Sequence, residues 1–129
     1  MNKLVAILIG VVGVIHLLPL SGVLGAERLA ALYGLPFDDP NLLIMMRHRA
    51  VLFGILGAFL LLAAFRPEWR TTAIAAGFAS TLSFLWLAWS TGGYNAAIGR
   101  VVAADLLAVA CLLAALVLHL LGQRTAVSA

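Results

Sequence analysis

Charge is what this chain has least of. Of its 129 residues, 10% are Asp, Glu, Lys or Arg, while 64% are hydrophobic. A soluble domain carries about a quarter charged residues, so a chain this apolar cannot cover a water-facing surface. Cysteine is nearly absent. Cys111 stands alone in an apolar run, so no intrachain disulfide can form, and it reads as a small buried hydrophobe. There is no Gly-rich phosphate loop, no Ser-nucleophile elbow, no Cys pair and no His-x-x-x-His pair. Met45, Met46 and His48 are soft ligands, with Met45 and His48 at i, i+3 spacing. No carboxylate–histidine cluster supports them, and no metal or cofactor is identifiable.

Long apolar segments dominate what is there, and the mean hydropathy is +1.13. Four segments reach the roughly 20 residues that cross a hydrocarbon core. They run from about Leu4 to Leu24, Pro40 to Phe65, Thr71 to Ser90 and Ala96 to Leu121, the last stopping at Gly122. Asp39 suits an N-cap, and Pro40 suits the first helical position. Connections two and three are short, which makes their helices antiparallel neighbours. Ala26 to Tyr33 reads as a short amphipathic helix in the headgroup layer, ended by Gly34-Leu-Pro36. No segment shows the alternation of a barrel strand. The expected fold is all-α: one domain, a four-helix transmembrane bundle, up-down-up-down, with a short interfacial helix after the first span.

The formal net charge is +3. The basic residues are scattered and flank apolar runs, which favours anionic headgroups over nucleic acid. Lys3, Arg66, Arg70 and Arg124 fall on one side of the membrane; Arg28, Arg47, Arg49 and Arg100 fall on the other. Committing Arg47 and Arg100 to the protein interior breaks that tie and puts both termini in the cytoplasm. Trp86, Trp89 and Tyr94 then mark the outer interface. The first segment also resembles a signal peptide, but its apolar run is long and Leu24 is too large for a cleavage site after Ala26.

Polar residues inside a membrane each need an account. Arg47 leads a stripe of small residues, Ala50, Gly54, Gly57 and Ala64, which lets another helix approach closely. It therefore points at a helix contact, as a ligand-binding charge, a partner of Asp105, or a snorkelling side chain. His16 follows Gly10 and Gly13 on a close-packing face. Asp105 leads inward through Ala108, Leu112 and Ala115 to His119, with Arg100 nearby. Ser80, Ser83 and Ser90 share a stripe and bond either their own backbone or a neighbouring helix. Arg49 heads a bulky set, Leu52, Phe53, Leu56 and Leu60, which reads as lipid-facing, with Arg49 itself snorkelling and doing no chemistry. Most of this polarity falls in one half of the membrane. The candidate ligand-binding residues are Arg47, Asp105, Arg100, His16, Tyr94 and Asn95.

Glu27-Arg-Leu-Ala-Ala-Leu-Tyr-Gly34, Asp38-Asp-Pro-Asn41, Met46-Arg-His-Arg-Ala-Val-Leu-Phe-Gly54 and the run from Gly92 to Asp105 carry a resemblance. Together they resemble small bacterial four-helix membrane proteins of the DoxX-like kind. The resemblance implies a four-helix fold in a bacterial inner membrane. Some DoxX-like proteins are similar to subunits that accompany membrane oxidoreductases and hand electrons to quinone; others have no established role. Nucleotidyltransfer is not supported, since the His-x-Gly-His type motif of phosphopantetheine adenylyltransferases is missing.

Three functions are expected from these features. The first is a binding or accessory protein with a polar pocket in the outer half of the bilayer for a lipid, quinone or small amphiphile. The second is a redox or proton-transfer enzyme using His16 and Asp105, which requires those side chains to converge on one cavity. The third is an assembly module without ligand, forming a homo-oligomer or docking an oxidoreductase partner subunit.

Overall fold

The computed structural model describes residues 1–128. Helix α1 spans Asn2–Leu17 and runs on as a 3-10 segment, Leu18–Leu24. Pro19 explains the change: it lacks an N–H for the Ile15 carbonyl, and its ring crowds that carbonyl, so the last turns tighten. Then come α2 (Ala26–Tyr33), α3 (Pro40–Phe65), a 3-10 turn (Pro67–Trp69), α4 (Arg70–Thr91) and α5 (Ala96–Val127). Four helical stretches are long and apolar enough to cross a membrane, as a multi-pass membrane protein requires.

Caps set the boundaries. The Asp39 carboxylate accepts from the amides of Asn41 at 2.7 Å and Leu42 at 3.2 Å, and Pro40 occupies the first turn. The Leu42 amide first, and then Asn41, holds that carboxyl below its ordinary range. Asn95 Oδ1 accepts from the Ile98 amide at 2.8 Å and caps α5. Gly34, at φ 69°, ends α2 in the left-handed conformation that glycine adopts freely. Helix α5 does not stop at Gly122. A glycine ends a helix by turning left-handed, and Gly122 keeps a negative φ, so α5 continues to Val127.

The four long helices form an antiparallel ring. Helices α1 and α4 lie diagonally, and each packs on α3 and α5. Along the α1–α3 contact Gly13 meets Leu61, Leu17 meets Gly57, and Leu20 meets Gly54. Close packing, with no difference in apolarity between lipid and protein, is what holds such helices together. Gly10 does not belong to this contact; nothing lies within 4 Å of where its Cβ would be.

The packed core lies in the half of the bundle away from α2. Val5, Ile9, Val12, Leu60, Ala63, Ile74, Ala108 and Leu112 form it, from all four long helices. Helix α2 lies across the end of the bundle and leaves Glu27 and Arg28 exposed, as an amphipathic helix after the first span should. Its Leu29 and Tyr33, with Phe37, are buried against Leu43, Met46, Ile98 and Val101, so α2 roofs the end of the bundle.

Candidate functional site

Below α2 the bundle leaves a half-open cavity of about 190 Å³ between α1, α2, α3 and α5. Its walls are mostly apolar, including Ile15, Leu32, Phe53, Ala97 and Val101. Five polar side chains enter it: His16, Tyr33, Arg49, Arg100 and Asp105. The expected polar pocket is therefore an apolar cavity with a few convergent polar groups, the usual make-up of a ligand site.

His16 is 1% exposed and held from two sides. Its Nδ1 lies 2.9 Å from the Val12 carbonyl, which can only accept, so Nδ1 carries the hydrogen. In the neutral ring Nε2 then accepts the Ser80 hydroxyl of α4, at 3.1 Å. The Phe53 ring lies alongside, with centroids 5.8 Å apart.

Arg49 is the less exposed of the cavity's two cations. Its Nη1 donates to the Tyr33 hydroxyl at 2.7 Å. Its guanidinium carbon lies 4.6 Å from the centroid of Phe53, 5.3 Å from Tyr33 and 5.9 Å from Phe84. Three rings and a hydroxyl thus replace water around the charge. The lipid-facing reading of Arg49 is wrong. In a ring of four helices each touches two neighbours and the centre, so α3 buries a wider arc than one stripe. Leu60, in the same bulky set, is 0% exposed.

Asp105 is buried, with 8% of its surface exposed. Among the described residues it has no hydrogen-bond or ion-pair partner; the one ion pair within 4 Å is Arg66–Glu68 at 3.6 Å, at the far end. Arg49 lines the same cavity but makes no ion pair with it within 4 Å. Arg100 and Leu18 also line the cavity, and both are exposed.

The remaining candidates lie elsewhere. Arg47 is exposed, and its Nε donates to the Val23 carbonyl at 2.8 Å. Its stripe does face α1, but Arg47 sits above the end of α1 proper, where the 3-10 segment offers a free carbonyl. Asn95 caps α5, and its Nδ2 donates to the Tyr33 carbonyl at 2.9 Å, pinning the end of α2. Tyr94 is 48% exposed and lines a shallow outer groove with Trp86 and Trp89. Of the six candidates, the structure brings His16, Asp105 and Arg100 together. Arg49, Tyr33 and Phe53 join them unannounced. One signal for Arg49 was available: an aromatic residue one turn on, Phe53, shares its face.

Ser80 bonds a neighbouring helix, while Ser83 and Ser90 bond the carbonyls three residues back. Among the described residues no three His, Cys, Asp or Glu side chains gather as a metal ion would require. Comparison of the chain with protein-family models, curated proteins and solved structures finds no match.

Proposed function

We propose that this chain is an integral membrane binding or accessory protein whose cavity under α2 takes the head of a lipid, a quinone or another small amphiphile. One observation carries the reading. Arg49, Tyr33 and Asp105 converge on a mostly apolar hollow with hydrogen-bonding capacity that no described protein group uses. A cavity of about 190 Å³ suits one ring or a short chain segment, since an apolar cavity of roughly 150 Å³ accepts a benzene. The rest of a longer ligand would leave past Leu18 and Arg100 into the bilayer. The resemblance to DoxX-like proteins supports a bacterial inner membrane and an oxidoreductase partner subunit.

Native mass spectrometry of the protein released from lipid tests this. A discrete adduct is expected on wild type and on Arg47→Ala, and is expected to be lost from folded Arg49→Gln. No adduct on any of the three overturns the proposal and favours an assembly module.

A second reading has its own support. His16 and Asp105 line the same cavity, as proton transfer to a membrane-dissolved substrate requires. Both nitrogens of His16 are already bonded, so the ring would act by releasing Ser80.

For orientation we propose that both termini face the cytoplasm, so that the cavity opens in the outer half of the bilayer.

A further inference from the structure

We infer that the cavity selects an uncharged hydroxyl head, so that its ligand is a membrane-dissolved alcohol and not an acid or an amine. This rests on the binding reading above and narrows it to a chemical class.

The unfinished hydrogen bonds define the class. Asp105, buried on α5, is an acceptor that no described donor reaches. Its oxygens keep some accessible surface, and their unused capacity is offered to the hollow that Asp105 lines. On the other side α3 and α2 supply donors. Arg49 spends Nη1 on Tyr33 and has further N–H groups unspent, and the Tyr33 hydroxyl has its own hydrogen free. The site thus needs a group that accepts from Arg49 or Tyr33 and donates to Asp105. A single hydroxyl oxygen does both.

Charge sharpens the choice. Arg49 and Asp105 present opposite charges to the inner cavity, so no charged head meets only an opposite charge there. A carboxylate head would gain Arg49 but face Asp105 as a like charge. An ammonium head would gain Asp105 but face Arg49. In a low-dielectric site either repulsion is expensive. Arg100 also lines the cavity but is exposed, so its charge is screened more than those of the less exposed Arg49 and Asp105. The apolar walls then require hydrocarbon next to the hydroxyl.

The experiment uses the full chain in phosphatidylcholine nanodiscs. Dodecanol, dodecanoate and dodecylammonium are supplied at matched mole fraction in the bilayer, and occupancy is read by native mass spectrometry. Wild type is expected to bind dodecanol at least about tenfold more tightly than either charged chain. Asp105→Asn is expected to shift preference toward dodecanoate, and Arg49→Gln toward dodecylammonium. A merely structural role for either residue would move stability without reversing the ranking. Equal or tighter binding of a charged chain by wild type overturns the inference. So does an unchanged ranking in both folded variants. If either variant fails to fold, the wild-type ranking alone decides. A retained cellular adduct with none of the three probes bound overturns the alcohol and leaves the binding reading intact. No adduct and no probe binding overturns both.

Discussion

His16 is fixed by one hydrogen bond along its own helix and one across the bundle, and the second is the more informative. Ser80 is the donor that reaches Nε2, so removing it leaves a buried acceptor unpaired. Ser80→Ala is expected to destabilise the bundle by about 1 kcal/mol, the scale of interhelical hydrogen bonds in membranes. Ser83→Ala, whose hydroxyl only returns to the Ser80 carbonyl, is expected to change stability far less. Unfolding in mixed micelles, followed by circular dichroism, compares the two; equal effects would mean that the His16–Ser80 bond contributes nothing. In the sequence His16 and Asp105 are conspicuous because a polar group in an apolar run stands out wherever it lies. Arg47 is more conspicuous there than Arg49 because small neighbours signal helix contact more visibly than bulky ones do. What the sequence did not display is that Arg49, Phe53 and Leu60 on the bulky side of α3 turn inward while Leu52 stays exposed, and that Tyr33 comes down from α2 to meet the guanidinium.

At the scale of elements, the contact of α1 with α3 shows how local rules fix the frame around the cavity. A Cβ at Gly57 would meet Leu17 at 2.8 Å and the Gly13 carbonyl at 2.9 Å. Backbone cannot retreat as a side-chain tip can, so Gly57→Val is expected to destabilise by about 1–3 kcal/mol, the range for overpacking. Gly10→Ala, with nothing within 4 Å, is expected to be neutral or stabilising by up to about 1 kcal/mol through helix propensity. Thermal unfolding of the two variants beside wild type checks the contrast, and a neutral Gly57→Val would refute it. The helices themselves were plain in the sequence: apolar length, Asp39-Pro40 and the turn at Gly34 each act locally. The role of α2 was not, because an amphipathic helix has the same pattern whether its apolar face meets lipid or protein. Neither was the end of α5, since a glycine stops a helix only where the chain has reason to turn.

For the whole molecule, charge is distributed unevenly between the two ends. At the α2 end Arg28, Arg47, Arg49 and Arg100 are balanced by Glu27, Asp38, Asp39 and Asp105, whereas Lys3, Arg66, Arg70 and Arg124 face only Glu68. The α2 end is therefore neutral, and the opposite end carries the whole formal charge of +3. Committing Arg47 and Arg100 to the interior no longer breaks the tie in basic residues, because the two most withdrawn are Arg49, in the cavity, and Arg70, which is 5% exposed and donates to the Ala64 carbonyl. One is taken from each end, so the count stays level. An anionic cytoplasmic leaflet would draw the positive end, at roughly 1 kcal/mol per unscreened cation, which is the support for the orientation proposed above. In a Cys111→Ala background, Thr91→Cys at the α2 end is expected to react with an impermeant maleimide in intact cells. Ser128→Cys is expected to react only after permeabilisation. The opposite labelling pattern would place the cavity in the cytoplasmic leaflet, and its ligand would then have to come from the pool of amphiphiles made and consumed on that side.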